Sequence, residues 1–381
     1  MTAPVNPSAA TDFSGLRRLR VAGLGSLRDV TLHPGRLTVL IGANGSGKSN
    51  VLKALNMVPL LPARGLQRFI GQAGGASALL HYGPQQTESI ELELDFALDG
   101  HTYGYRASLG FAAGDKLLFL DERVAYQGNP GVAMRTTPLG TDHWESLLRS
   151  AAPNSHEATS VHYWTAQLIH FHFHDTSLTS ALRTNARAVD DRALRSDGGN
   201  LAAFLLRLAS SVDAADQKAW RRINAYVSRV VPSIKSLEPT RLDSNTSAAR
   251  LDWIDDRDER FGAHHLSDGS LRAIAIITAL AQPAERMPRF ISIDEPELGL
   301  HPAAISLVAE LARSVSHRTQ VLFATQSTAF LDHFSPEEVV VAERADGATT
   351  LRRLDPAALQ TWLDDYSLSE VFDKGVIGGR P

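Results

Sequence analysis

Hydrophobic positions along this chain change period several times, and each change marks an element. Leu16, Leu19, Val21 and Leu24, then Val30 and Leu32, fall at strand-like spacing and predict two short strands. They lead into Leu37-Thr38-Val39-Leu40-Ile41, an apolar, β-branched run of the kind buried within a sheet. Val51, Leu55 and Val58 then recur on one face of a helix. Period two returns at Ile90-Glu91-Leu92-Glu93-Leu94-Asp95-Phe96 and over residues 103–109 and 117–126, with turns at Asp99-Gly100 and Gly114-Asp115. This spacing predicts an antiparallel layer with one half-exposed face.

Residues 128–141 carry Gly and Pro and read as loop, and residues 142–231 read as largely helical, with one strand expected around 168–173. Leu201, Phe204, Leu205 and Leu208 line one helical face behind Gly198-Gly199-Asn200, and Trp220, Ile223, Val227 and Val230 line another. Further on, Leu271, Ile274, Ile277 and Leu280 mark an apolar helix, while Phe290-Ile291-Ser292-Ile293 and Val321-Leu322-Phe323-Ala324 read as buried strands. Pro302 opens a helix whose inner face is Ile305, Val308 and Leu311. Residues 338–343 and 349–354 read as a strand pair, and 357–366 as a helix. An α/β chain in four stretches is expected: a flexible start (1–15), a first lobe with the antiparallel layer (16–135), a largely helical lobe (136–260) and a second lobe (261–381).

Candidate chemistry lies at the ends of the buried strands. Gly42-Ala43-Asn44-Gly45-Ser46-Gly47-Lys48-Ser49 fits G-x-x-x-x-G-K-[ST] at every fixed position, between a strand and a helix. Glycines let backbone N–H groups turn inward around an anion, and the helix N-terminus adds partial positive charge. Gly42, Ala43, Asn44, Gly45, Ser46, Gly47, Lys48, Ser49 and Asn50 are therefore candidates for binding a nucleoside triphosphate, with Lys48 on the β- and γ-phosphates and Ser49 on Mg²⁺. Asp294 and Glu295 end a buried strand, the first placed for the Mg²⁺ shell and the second to polarise a water. Ser267, Asp268 and Gly269 open a helix, a second anion-binding start.

Composition narrows the partners. With 381 residues, 43% hydrophobic and 21% charged, the chain can bury a large core or two lobes. A net charge of −4 gives no overall basic field for nucleic acid, so DNA binding would need a local patch. The absence of cysteine excludes disulfides, thiolate metal sites and a cysteine nucleophile. No apolar run approaches the ~20 residues of a membrane span, and residues 1–11 lack a signal-peptide core, so a cytoplasmic protein without membrane contact is expected. Arg17, Arg18 and Arg20 read either as a solvated strand face or as phosphate contacts. His170, His172 and His174 would share one strand face beside Asp175, either as transition-metal ligands or as a structural or nucleotide-facing set.

Together these residues resemble the ABC-type ATPase heads of the SMC, RecF and overcoming-lysogenization-defect group. More closely, the chain is similar to the standalone bacterial predicted ATPases of the AAA family. That resemblance rests on Phe173-His174-Asp175-Thr176-Ser177, Gly199-Asn200-Leu201-Ala202-Ala203-Phe204, Leu266-Ser267-Asp268-Gly269, Asp294-Glu295-Pro296-Glu297-Leu298-Gly299-Leu300-His301-Pro302, Thr325-Gln326-Ser327 and Gly378-Gly379-Arg380-Pro381, and spans nearly everything after residue 15. It implies a P-loop NTPase of the SMC/RecF-like head type, with Walker A at residues 42–49, the signature at 266–270, Walker B at Asp294 and Glu295, and a D-loop at 298–301. It also implies ATP and Mg²⁺ as cofactors, and an ATP-dependent homodimer, because that group places each ATP between Walker A of one subunit and the signature of another. Lys48, Glu295 and Gln326 would then be catalytic. Gln326 stands where the group usually has histidine, and its amide carries no charge, so slow hydrolysis is expected. Gln72 is the candidate Q-loop glutamine of the metal shell.

The expected function is an ATPase whose dimer opens and closes on DNA or on a partner, in genome maintenance or phage defence. A second reading is an ATP-regulated, metal-dependent nuclease or phosphohydrolase built on the histidine cluster. About 40 residues follow Val341, too few for a fused nuclease of ordinary domain size, so any such effector is expected to be a separate protein. A transporter's nucleotide-binding subunit is disfavoured by the wide separation of phosphate loop and signature and by Leu271-Arg272.

Overall fold

A computed structural model describes residues 13–128, 131–242 and 247–379. Most of the expected flexible start, through residue 12, lies outside the described residues, as do Arg380 and Pro381 of the terminal motif. Two compact units result: the described residues through Arg36 with Leu60–Ala166, and Leu37–Pro59 with the described residues from Gln167 onward.

Antiparallel pairing organises the first unit. Its sheet runs, in spatial order, Leu27–Leu32, Gly15–Leu24, Ser89–Leu98, His101–Ala112, Lys116–Gln127 and Arg135–Gly140. The period-two pattern is expressed directly: Ile90, Leu92, Leu94 and Phe96 are buried, while Glu91, Glu93 and Asp95 between them stay partly exposed. Arg18 and Arg20 pair across the strands with Glu93, Asp95 and Asp29, so their charge is met inside this unit. The strand Arg135–Gly140 lies in the stretch read as loop; its residues are mostly exposed and offer no apolar alternation to reveal it. Glu122 is fully buried, and its carboxylate accepts from the Tyr105 hydroxyl at 2.6 Å, the Ser146 hydroxyl and the Leu147 N–H at 2.8 Å.

The second unit is built on a six-stranded sheet in the order Ala348–Arg353, Val339–Ala345, Leu37–Ile41, Gln320–Thr325, Phe290–Asp294 and Leu168–Phe171. Only Ala348–Arg353 runs antiparallel to its neighbour; the other pairs are parallel. Register sets Thr325 beside Ile41 and Asp294 beside Ala324, so the loops after three strands leave from one edge, where parallel sheets bind ligands. Helix Asp268–Ala281 is buried along its whole length from Leu271.

Residues 136–260 depart from the helical expectation. Helices His156–Ala166, Leu201–Ser210 and Ala214–Val230 form, but residues 172–200 are mostly irregular. Ile234–Arg241, Ala248–Asp255, Arg260–Gly262 and Ala186–Arg187 build a small antiparallel sheet instead. Charged Lys235, Glu238, Arg250 and Asp252 break its apolar alternation, and Pro239 reads as a strand breaker. Asn200 precedes its helix without a side-chain cap; its buried amide bonds the Arg195 N–H and the Asp190 and Ala193 carbonyls. At the C-terminal end, Pro356–Leu363 gives the expected helix, and a capping box of Ser367 and Glu370 starts a further one, Leu368–Asp373.

Glu122→Ala leaves the Tyr105, Ser146 and Leu147 donors without their acceptor, an expected loss of about 3 kcal/mol or more in urea unfolding; Glu122→Gln is expected to lose less.

Candidate nucleotide-binding site

Residues 42–47 turn the chain from strand Leu37–Ile41 into helix Lys48–Met57. Gly45 and Gly47 hold φ values of 79° and 105°, the left-handed region that lets successive N–H groups face one concavity. Gly42 serves a different end, since a methyl there would lie 2.2 Å from the Ala342 carbonyl oxygen and 2.7 Å from Ser46 Oγ. Ser46 Oγ is buried without a partner, which fits a loop whose remaining hydrogen bonds go to phosphate oxygens. The buried Lys48 ammonium folds back to donate to Gly42 O at 2.6 Å and Ala43 O at 2.9 Å. Burial lowers its pKa, and the charges of Asp294, Glu295 and Glu297 oppose that shift. Asn44 and Ser49 are exposed, and Ala43 and Asn50 partly so.

The C-terminal residues hold this loop from behind. Ala43 N–H donates to Gly379 O at 2.8 Å, Gly379 N–H donates to Glu343 Oε1 at 2.9 Å, and Thr349 Oγ1 donates to Ser46 O at 2.9 Å. The paired glycines Gly378-Gly379 are the sequence signal for this seat, since both take positive φ and both pack where a methyl would collide, with Glu343 or with Val341 and Phe372.

Across the sheet edge stand the acids. Glu295 has a φ of 43°, unusual for a side-chain-bearing residue, and its N–H donates to Ala324 O at 2.7 Å, so the chain turns sharply just past Asp294. The Gln326 amide donates to Glu295 Oε1. Glu297 accepts from Thr325 Oγ1 at 2.6 Å while its other oxygen is buried and unpartnered, and burial raises its pKa. His174 Nε2 lies 3.6 Å from Asp294 Oδ2.

The strand that carries His170 ends at Phe171, but His172 still stacks on His170, and the charges of His172 and His174 both bear on it. His170 Nδ1 lies 3.1 Å from Ser292 Oγ on the neighbouring strand, and burial, with His172 stacked beside it at 5.9 Å, pushes His170 down to about 4. Among the described residues no group of three or more His, Asp or Glu side chains is placed to hold a metal ion, which speaks against the metal alternative and leaves the structural or nucleotide-facing one.

At the signature, Ser267 Oγ caps its helix by accepting from Ser270 N–H at 3.1 Å, and Asp268 pairs with Arg183 at 2.8 Å. A methyl on Gly269 would lie 2.1 Å from Gly299 O, so the signature start packs against the D-loop. Gln72 ends helix Leu66–Gln72 of the first unit and is exposed. No helix of the described residues is long and apolar enough to cross a membrane.

His170 supplies a pH test. Its folded pKa lies below the ordinary 6.5, so the unfolded chain binds the extra proton between about pH 6.5 and about pH 4. Stability is expected to be intact above this window and to fall with pH through it, on the order of 3 kcal/mol. His170→Asn should flatten that acid limb, read from urea midpoints at about pH 7.5 and about pH 4.5.

Among curated proteins, none matches this chain. Solved structures share the fold: an SMC head bound to the C-terminal winged-helix domain of ScpA has a TM-score of 0.61 and 14% identity, covering 91% of this chain and 99% of that one. An SMC head with an extended coiled coil, bound to the C-terminal domain of ScpA and derived from Pyrococcus furiosus, has a TM-score of 0.59 and 14% identity over 93% of this chain and 99% of that one. One with a coiled coil and joint from Pyrococcus yayanosii has a TM-score of 0.57 and 12% identity, again over 93% and 99%. The model of the family described as "AAA domain, putative AbiEii toxin, Type IV TA system" matches residues 37–332, from the loop strand through the acid pair and Gln326, and the chain belongs to that family of AAA ATPase domains with an SMC-head-like fold.

Proposed function

We propose that this chain binds Mg-ATP between two copies of itself and hydrolyses it, so that closed and open dimers alternate. The observation that carries the reading is a division of the chemistry within the second unit. Gln326 touches Glu295, and Lys48 feels both Asp294 and Glu295, whereas Ser267, Asp268 and Gly269 sit against Ser270, Arg183 and Gly299. Ser267 and Asp268 are exposed. One chain thus offers a phosphate-binding half and an outward-facing signature half. A second copy's signature would add the helix start and hydroxyl that stabilise charge on the γ-phosphate.

In this reading Lys48 exchanges the Gly42 and Ala43 carbonyls for phosphate oxygens, and the N–H groups of the loop hold the rest. Ser49 and Asp294 would hold magnesium, which supplies charge neutralisation on the phosphates. Glu295 orients the attacking water, and the Gln326 amide steadies its carboxylate without adding charge, so turnover is slow. Toxin–antitoxin wording in the family's description supports a role in defence, and the SMC heads solved with ScpA support a separate protein partner over action on DNA alone. A cytoplasmic location goes with this reading.

Glu295→Gln is expected to bind ATP and accumulate the dimer, while Ser267→Arg should bind ATP and stay monomeric, both read by sedimentation. No ATP-dependent change of mass in the wild type or in Glu295→Gln would sink the composite site. If DNA is a partner, hydrolysis should rise with added duplex or single strand and the stimulation should fade with salt.

A further inference from the structure

Two buried arginines frame the irregular stretch that follows the histidine strand. Arg183, with a side chain only 5% exposed, donates to four acceptors: Thr176 O at 2.7 Å, Ala263 O at 2.7 Å, Leu266 O at 3.0 Å and Asp268 Oδ1 at 2.8 Å. Three of those acceptors belong to the signature loop or the turn just before it. Arg272, on the signature helix and equally buried, donates to Phe173 O and His174 O at 3.0 Å each and to Leu298 O of the D-loop. The same His174 puts its imidazole beside Asp294. Residues 173–183 therefore touch the metal-site acid at one end and the signature at the other.

We propose that residues 173–183 form a strut that sets the signature loop from the acid edge of the same chain, with Arg183 as its positioning residue. An arginine suits this place because its planar, permanently charged fork can hold several carbonyls and one carboxylate at once, and a lysine cannot. The carbonyl bonds fix the loop backbone, and the exposed Asp268 carboxylate is drawn towards Arg183, away from the anionic nucleotide that a second copy would present. Without the strut, Asp268 would face that triphosphate as an uncompensated negative charge. The strut also joins the two half-sites of one chain, so the state of its own acids bears on what it offers its partner.

The proposal rests on the composite-dimer reading, and its test separates the two. In the full chain carrying Glu295→Gln, a fluorescent ATP analogue measures nucleotide affinity at protein concentrations below dimerisation, and sedimentation with ATP measures dimer affinity. Arg183→Gln is expected to weaken the dimer by about tenfold or more while changing monomer nucleotide affinity by less than about threefold. Arg183→Lys should recover part of the loss. Asp268→Asn, which removes the exposed carboxylate itself, should lessen the penalty in the Arg183→Gln background, a non-additive pair. A dimer equally tight with Arg183→Gln overturns the strut alone, as does a parallel fall in thermal midpoint and monomer nucleotide affinity, which marks a merely structural arginine. A Glu295→Gln parent that stays monomeric with ATP overturns both readings.

Discussion

A cation buried under its own loop is the constraint around which the second unit is arranged. Lys48 is held by the carbonyls of Gly42 and Ala43, and the cost of removing its charge from water is offset in part by three nearby carboxylates, those of Asp294, Glu295 and Glu297. That balance depends on strand register. Because Thr325 lies beside Ile41 and Asp294 beside Ala324, the loop, the acids and Gln326 emerge together, although the sequence separates the first from the others by more than half the chain. The loop is also supported from behind, by Ala342, Thr349 and Gly379, so the C-terminal residues take part in the site's mechanics without supplying its chemistry.

Backbone carbonyls carry the rest of the positioning. Arg183 and Arg272 between them hold six carbonyl groups and one acid, and in doing so connect the signature, the D-loop and the stretch after the histidine strand. Irregular segments need partners for their buried polar groups, and within residues 172–200 the two guanidinium groups meet the carbonyls of Phe173, His174 and Thr176, while the Asn200 amide meets those of Asp190 and Ala193.

Charge and histidine patterns each leave two readings open in the sequence. Arg18 and Arg20 alternate with apolar residues as a phosphate-contacting strand would, yet their partners are Glu93, Asp95 and Asp29 on adjacent strands. Which of the two readings holds depends on cross-strand pairs that no local window contains. The histidine trio likewise had two readings, and the contacts of His170 with Ser292 and of His174 with Asp294 fit the structural or nucleotide-facing one.

Local signals determined much of this protein before any tertiary contact was considered. The phosphate loop, the strands on either side of the antiparallel turns, the acid pair and the signature cap are each written in a few adjacent residues, because backbone conformation, burial pattern and capping act over that range. Only the folded chain decided the small sheet of residues 234–262, the contact of Gln326 with Glu295, the seat of Gly379 behind the loop and the acceptors of Arg183. Each of these joins residues far apart in sequence through hydrogen bonds of strict geometry. A sequence shows which groups can make such bonds, and strand order and register settle which of them meet.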